Sequence, residues 1–124
     1  VTGLDILPTL ARLAGYQGLL PNILDGGNIQ TVIHNNGKGK VERNSPYLIF
    51  HQAANRKPIS AIRFGDYKLV KDWRYNKLEL FDLSNDVEEK VDLSKKMPDI
   101  VKKLDEALIK FLNESDAETK QIKT

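Results

Sequence analysis

The sequence of 124 residues contains no cysteine, and it has only one tryptophan, one methionine and two histidines. Without cysteine the chain has no disulfide framework, no zinc knuckle and no thiol nucleophile. Cysteine usage therefore does not indicate whether the protein resides in an oxidising or a reducing compartment. No Ser/His/Asp order and no pair of metal ligands emerges either. From its residues alone, the chain is predicted to be a scaffold or the lip of a pocket, without an evident active site of its own.

Long hydrophobic runs are also missing. No apolar run approaches the roughly 20 residues of a membrane-spanning helix, so no membrane partner is expected. The chain opens with VTGLDILPTL, without an initiator methionine or the basic n-region of a signal peptide. Because these first residues already have a helical pattern, the sequence predicts a fragment or a processed product.

Charge of one sign is not in excess. The chain carries 19 basic and 17 acidic residues, for a net charge of +2. The two signs are interspersed, apart from a basic patch within residues 38–43 and an acidic one within residues 86–89. A strong field for nucleic acid or an anionic membrane is not expected, so nucleic acid is not predicted as a partner.

The first segment predicts a helix within residues 2–16, because its apolar residues recur at the steps of one helix face. Thr2 and Asp5 resemble a capping box, and a start near Asp5 would place Pro8 in the first turn, where proline is tolerated. Gly15 is placed to end the helix. A glycine-rich loop, a second short helix and the flexible connection NNGKGK follow.

The middle of the chain predicts an antiparallel meander of about four strands. The first contains a continuous apolar run, which is typical of a buried central strand. Gly65-Asp66 joins the second and third strands as a two-residue hairpin with glycine first, as a type II′ turn requires. The predicted strands cover residues 46–52, 58–64, 67–72 and 77–83.

A long amphipathic helix closes the pattern. Pro98 stands at its first position and Asp99 complements its N-terminus. The fold class is therefore α+β, with the sheet packed against this C-terminal helix. The apolar stripe that should cover the sheet consists of Ile100, Val101, Leu104, Leu108, Phe111 and Leu112.

Polar and cationic residues follow the apolar first strand, starting with His51. An anionic ligand could bind to these residues, or the histidine could hydrogen-bond locally in a surface loop. The sequence leaves both interpretations open. His34 is interpreted as solvated. The acidic run within residues 82–92 lacks the spacing of a calcium loop and is also interpreted as solvated.

The order of these segments resembles the C-terminal part of the sulfatase family (arylsulfatase-like), in the alkaline phosphatase superfamily. Family members show a V…DLxPTLLxLAG helix, an LDGxSL loop, an R…GxYKL hairpin and an ELYDLxNDPxExxNL segment. Four such motifs in this order, over about residues 1–112, carry the resemblance. The matching stretches are VTGLDILPTLARLAG, LDGGNI, YLIFHQAANRKPISAIRFGDYKLV and KLELFDLSNDVEEKVDLS. The chain departs from the pattern at Val87, where the family has proline, and at Asn28-Ile29.

The resemblance implies a large α/β domain with the active site and a smaller C-terminal domain of sheet plus long helix. Residues 1–36 would then end the large domain and residues 37–45 would be a linker. The sheet-plus-helix subdomain would cover residues 46–114, before a polar tail at 115–124. The first helix would belong to the large domain, so its apolar stripe is expected to be unpartnered here and to promote self-association.

The resemblance also implies chemistry that this chain lacks. In the family, a formylglycine made from Cys or Ser in a C/S-x-P-x-R motif attacks sulfur beside a calcium ion. Ser45-Pro46 has the wrong spacing for that motif, so the nucleophile and the calcium ligands are expected upstream and this chain alone is expected to be inactive. The family loop along the substrate pocket implies that the substrate-binding residues are His51, Gln52, Asn55 and Arg56.

Two alternatives remain open. Related phosphodiesterases and phosphonate hydrolases share these C-terminal motifs, and a threonine or another unmodified nucleophile upstream would identify them. A free-standing interaction module would be indicated by a start codon just before Val1. The sulfatase hypothesis implies a missing N-terminal catalytic domain as partner, a sulfated small molecule or glycan as substrate, and a periplasmic or secreted location.

Overall fold

The computed structural model of the chain describes residues 1–21, 24–54 and 57–119. The chain divides into two compact units. Unit 1 is Val1–Pro46 and unit 2 is Tyr47–Thr124.

Unit 1 begins with a 3₁₀ turn at Gly3–Asp5, which continues into helix α1 at Ile6–Leu13. The helix is therefore shorter than the predicted pattern and begins after Asp5. Pro8 lies in the first turn, where its missing N–H has no intrahelical partner to lose. The Asp5 carboxylate accepts a hydrogen bond from the backbone amide of Thr2 at 2.7 Å, which is one half of the predicted capping box.

The C-terminus of α1 confirms the predicted role of Gly15. This residue has φ 83°, and its amide donates to the Arg12 carbonyl at 3.0 Å. The next amide, of Tyr16, donates to the Ala11 carbonyl at 2.9 Å. The two bonds form a Schellman motif, and glycine supplies the left-handed conformation that the motif needs.

The second helix, α2, is a short one at Gln30–His34. Val32 is buried, whereas Ile33 is 56% exposed. The helix ends where Asn36 adopts φ 53° and Gly37 adopts φ 83°, because a left-handed backbone cannot continue an α-helix.

Unit 2 contains a four-stranded antiparallel sheet in the order β1-β2-β3-β4. The meander topology is as predicted, and each strand pairs with its neighbours in the sequence. Ile62 pairs with Ile49 on one side and with Leu69 on the other, which aligns the apolar residues on one face. The strands are β1 Leu48–Gln52, β2 Ile59–Phe64, β3 Tyr67–Asp72 and β4 Lys77–Asp82.

The hairpin turns follow the turn chemistry of the sequence. Gly65 has φ 59°, the positive angle that the first position of a type II′ turn requires. The turn between β3 and β4 contains Asn76 at φ 48°, and asparagine is one of the few residues that tolerate this conformation.

The prediction of a buried central strand at residues 46–52 is wrong in one respect. The corresponding strand, β1, lies at an edge of the sheet, and Phe50 is 54% exposed. In a meander the first strand has a neighbour on one side only, so its position follows from connectivity and its hydrophobicity does not decide it.

Helix α3 at Pro98–Glu114 has Pro98 at its first position, as predicted, and it covers one face of the sheet. At roughly 25 cal/mol per Å² of apolar surface, a fully buried leucine stabilises the fold by about 2 kcal/mol. No helix within the described ranges is long and apolar enough to cross a membrane. The buried core consists of Ile62, Leu69, Leu80, Leu104, Leu108 and Leu112.

The chain turns sharply after α3. Asp116 adopts φ 49°, and the Ala117 amide donates to the Leu112 carbonyl at 2.9 Å. Ala117 then packs against the core, which makes this turn a Schellman motif with its usual apolar contact. Residues 115–117 are consequently held in place within unit 2 by their backbone bonds and by the contact of Ala117 with the core.

Candidate functional site

A chain of hydrogen bonds crosses the sheet of unit 2 at the end of β1. The indole Nε1 of Trp73 donates to Ser60 Oγ at 2.7 Å. Ser60 Oγ lies 2.8 Å from His51 Nδ1. On the other side of the ring, His51 Nε2 lies 3.0 Å from the backbone carbonyl oxygen of Glu118. These four residues are called the His51 relay below.

The two ends of the His51 relay fix the direction of two of its bonds. An indole N–H is only a donor, so Ser60 accepts from Trp73, and when His51 is neutral with its proton on Nε2 the Ser60 hydroxyl donates to Nδ1. A carbonyl oxygen is only an acceptor, so His51 Nε2 must carry a proton. The relay is fully satisfied when the histidine is neutral with its proton on Nε2.

A buried cation lies beside the His51 relay. Lys71 pairs with Ser60 across the β2–β3 ladder and is only 4% exposed. Its Nζ contacts Asp105 Oδ1 on α3 at 2.7 Å and lies 4.6 Å from the centre of the Trp73 ring. The carboxylate and the aromatic face compensate the charge, and Trp73 is used for packing against the core rather than as an open stacking surface.

Only part of the predicted substrate-binding set falls within the described residues. His51 and Gln52 are the last two residues of β1, so their side chains point to opposite faces of the sheet. His51 is half-buried in the relay, whereas Gln52 is exposed. Asn55 and Arg56 lie outside the described residues.

Sequence reasoning missed the other members of the His51 relay. Ser60 lies two residues before Ile62, so strand alternation puts it on the core face, where a hydroxyl must find a partner. That pattern was a usable signal for Ser60. Glu118 had no signal, because it takes part through its backbone and is 67 residues from His51.

Unit 1 has its own polar centre at Asp5, which is fully buried. Arg43 donates to both carboxylate oxygens, from Nη2 to Oδ2 at 2.6 Å and from Nε to Oδ1 at 3.1 Å. The Gly27 amide donates to Oδ1 at 2.9 Å. The sequence grouped Arg43 with the basic patch within residues 38–43, and the structure shows that its side chain is only 13% exposed and pairs with Asp5.

The surroundings of Asp5 hold it ionised. Burial by itself raises the pKa of Asp5, but the amides of Gly27 and Thr2 and the guanidinium of Arg43 stabilise the carboxylate. The balance lowers the pKa from 3.8 to about 2. This carboxylate is thus a fixed anion around which the loops of unit 1 are ordered, and it has no proton to exchange near neutral pH.

The LDGGN stretch lies directly on the backbone of unit 1. A Cβ on Gly26 would overlap the Leu4 carbonyl, and a Cβ on Gly27 would overlap the Glu42 carbonyl. The stretch is also held by Thr9, whose Oγ1 accepts from the amide that follows the loop, that of Ile29, at 3.1 Å. Glycine is required at both positions because the backbones approach too closely for a side chain.

The acidic residues at the end of β4 and after it organise the loop that follows the strand. Asp82 accepts from the Ser84 amide at 3.0 Å, and Asp86 accepts from the Val91 amide at 2.8 Å. Hydrogen bonds from Ser84 and Asn85 hold the pKa of Asp82 below its ordinary value. These two carboxylates accept hydrogen bonds from backbone amides and so shape the turns that follow β4.

The family's cofactors do not fit the residues of this chain. Within the described residues, no group of three His, Cys, Asp or Glu side chains could hold a metal ion. The sequence has no cysteine, and Ser45 is followed directly by Pro46, whereas a C/S-x-P-x-R motif has one residue between the two. The sequence therefore contains no C/S-x-P-x-R motif from which a formylglycine could be made. No chemical step can therefore be assigned to a calcium ion or a formylglycine held by this chain.

Solved structures share this fold. One is Ps i-CgsB in complex with k-i-k-neocarrahexaose, which is 26% identical with a TM-score of 0.70, over 90% of this chain and 24% of that chain. BT1596, a 2-O GAG sulfatase, is 25% identical with a TM-score of 0.68, over 90% and 24%. BT4656, solved with its substrate D-glucosamine-2-N,6-O-disulfate, is 20% identical with a TM-score of 0.68, over 96% and 25%. The fold is that of a sulfatase C-terminal region.

The family is given by the sequence itself. A family model described as N-sulphoglucosamine sulphohydrolase, C-terminal, matches residues 1–114, and the chain belongs to this family of sulfatases. The resemblance found in the motifs is thereby confirmed. No curated protein matches the sequence significantly. The chain spans about a quarter of the length of the solved structures that it matches.

Proposed function

We propose that the chain is the C-terminal part of a sulfatase that hydrolyses sulfate esters, and that it completes the fold and shapes the substrate pocket. The observation that carries this proposal is the family match over residues 1–114, in a chain that spans only a quarter of sulfatase structures. Taken alone, the chain is inactive. The intact protein supplies the formylglycine nucleophile and a calcium ion from its other part.

The substrate lip is proposed at the end of β1 and in the loop that follows. Gln52 is exposed and can offer both an amide donor and an acceptor to a hydroxyl or sulfate group. Asn55 and Arg56 are proposed from the family resemblance, and a guanidinium suits a sulfated ligand because it donates in a planar fork. His51 belongs to the same lip, where its ring holds the end of β1 through the relay.

A sulfated glycan is the proposed substrate. BT1596 is a GAG sulfatase, and Ps i-CgsB was solved with an oligosaccharide. A family of glycan-acting relatives supports a glycan over a small aryl ester for this chain. We further propose that the intact protein is periplasmic or secreted, where such polymers are met.

The apolar face of α1 is proposed to pack against the upstream domain. Its large side chains are more than half exposed in this chain, and an apolar stripe of this size needs a partner. When the upstream domain is missing, the same face promotes self-association, so light scattering of the 124-residue chain should report a mass above that of a monomer. A sharp monomer would contradict this proposal. The face consists of Ile6, Leu7, Leu10 and Leu13 on α1, with Leu4 in the 3₁₀ turn before the helix.

The experiment that tests the function uses the protein encoded by the complete reading frame. Its sequence upstream should contain C/S-x-P-x-R, and the purified protein should release sulfate from a sulfated disaccharide. Release of phosphate from a phosphodiester, without sulfate release, would identify a related phosphodiesterase. A reading frame that starts just before Val1 would favour an interaction module.

The lip is tested by substitution in the same protein. Gln52→Ala should raise KM about fivefold, the loss expected for one hydrogen bond to a substrate, with little change in kcat. Lys102→Ala is the control, because Lys102 is exposed near the start of α3, whereas the opposite end of this helix leads to Glu118 and the end of β1. Equal kinetics for the two variants would contradict the proposed lip.

A further inference from the structure

We propose that the segment after α3 is a working part of the substrate lip, and that His51 is the positioning residue that ties it to β1. The proposal rests on the function proposed above. In it, His51 does not contact the substrate. Its two ring nitrogens instead join the β2–β3 hairpin to the backbone at Glu118, and this joint sets the position of Gln52.

The first argument is that both ring nitrogens of His51 already have hydrogen-bond partners within the chain. Nδ1 contacts Ser60 Oγ at 2.8 Å and Nε2 contacts the Glu118 carbonyl at 3.0 Å, so both polar atoms of the ring have partners within the chain. A ligand could bind either nitrogen only by displacing one of these bonds. A histidine with both nitrogens occupied is suited to hold other groups in place.

The second argument is how Glu118 arrives at the ring. The turn after α3 is fixed by the bond from the Ala117 amide to the Leu112 carbonyl at 2.9 Å, and Ala117 packs on the core. The next carbonyl along the chain, that of Glu118, is the one that His51 contacts. The segment is thus held on both sides, by the Schellman turn before it and by His51 after it.

The third argument is the place of the joint in the lip. His51 immediately precedes Gln52, the last residue of β1, and the β1–β2 loop begins directly after it. β1 is an edge strand, so its end is restrained from one side of the sheet by β2 and by the bonds of the relay. Loss of the joint would let the end of β1 shift, and a shift of about 1 Å in a substrate-positioning residue is enough to weaken binding.

The proposal predicts that His51 and the Glu118 carbonyl act as one unit. Two changes each break the same bond: His51→Phe, and insertion of one glycine between Ala117 and Glu118, which moves the carbonyl out of position. In the intact enzyme each should raise KM about fivefold with kcat nearly unchanged, and the two together should raise it no further. The control is the same glycine insertion after Thr119, beyond the carbonyl.

Two conservative variants of His51 sharpen the test. In His51→Gln, the amide nitrogen can take the place of Nε2 and still donate to Glu118, so KM should stay within about twofold of the parent. In His51→Asn the shorter amide cannot reach the carbonyl, and KM should rise as in His51→Phe. If all His51 variants lose activity alike while the insertion after Ala117 has no effect, His51 contacts the substrate and the proposal is overturned.

A structural readout separates this proposal from the proposed function. The chain has a single tryptophan, so its indole Nε1–H gives one resonance in a ¹⁵N-labelled sample of the 124-residue chain. Insertion before Glu118 should shift that resonance, because Trp73 is joined to Glu118 through the relay. If the insertion does not shift the resonance, the proposed connection of Glu118 to His51 is overturned. Absence of sulfate release by the intact protein, with the resonance shifted, overturns only the proposed function.

Discussion

Arg43 and Asp5, which are 38 residues apart, form a two-point ion pair inside unit 1. The carboxylate is fully buried, and it also accepts from the amides of Thr2 and Gly27. One side chain thus connects the start of the chain, the LDGGN stretch and the segment that leads to unit 2. A buried carboxylate is stable in such a place only because every oxygen lone pair that faces the protein has a donor.

Replacing this carboxylate should unfold unit 1 at much lower denaturant. Asp5→Asn removes the charge partner of a guanidinium that is largely buried, and breaking a buried pair in this way costs about 3 kcal/mol. Urea unfolding followed by circular dichroism measures the loss. Asp25→Asn is the control, because Asp25 lies in the LDGGN stretch that contacts Asp5 but is itself exposed, and a change of about 0.5 kcal/mol or less is expected there. Similar losses for the two variants would show that the ion pair is unimportant.

Acid should destabilise unit 1 through the same residue. The folded-state pKa of Asp5 is about 2, below its ordinary value of 3.8, so its stabilising contribution is complete above pH 3.8 and is lost as pH falls through 2. The shift corresponds to stability on the order of 2 kcal/mol. Free energies of unfolding measured from pH 5 to pH 2 should fall more steeply for the parent than for Asp5→Asn. Parallel curves would contradict the assignment.

The two loop glycines should tolerate no side chain. Gly26→Ala and Gly27→Ala place a methyl group on a neighbouring carbonyl oxygen, and the shift in backbone that relieves it should cost about 2 kcal/mol. Gly3→Ala is the control, because a Cβ at Gly3 has no atom within 4 Å. Thermal unfolding of the three variants tests the difference. A stable Gly27→Ala protein would mean that the loop is not packed as closely as described.

The buried ion pair of unit 2 makes a separate prediction. Asp105→Asn removes the charge partner of the Lys71 ammonium, which is 4% exposed, and leaves the contact with the Trp73 ring; the change should cost about 2 kcal/mol. Glu106→Gln, one residue along α3 and exposed, should have almost no effect. The single tryptophan lies in unit 2 beside the pair, so its fluorescence follows unfolding of this unit. A loss confined to Glu106→Gln would be the opposite of the expected result.

The sheet of unit 2 could be predicted because its signals are local. Gly65-Asp66 fixes the hairpin between β2 and β3, and alternation assigns the faces of both strands. The apolar stripe and Pro98 likewise define α3 through the helical period and the preference of proline for the first position. The exposed Phe50 in β1 shows the limit of this reasoning, because the hydrophobicity of a strand does not state how many neighbours it has.

The candidate site could be predicted only in part. His51 and Gln52 were singled out by their place after an apolar strand, but the relay joins His51 to a backbone carbonyl that has no side-chain signature. The pair of Asp5 and Arg43 was missed for a related reason: the two residues meet only after the loops between them have folded. Contacts of this kind depend on tertiary structure, which composition and periodicity do not encode.

Each strand of unit 2 pairs with its neighbour in the sequence, and this order also determines how the unit can fold during synthesis. Each ladder closes through a short loop, so the sheet can form stepwise with little loss of chain entropy. During translation all four strands leave the ribosome before α3, and the face formed by Ile62, Leu69 and Leu80 then has no cover. Completion of the helix is therefore the event that covers this apolar face in the nascent protein.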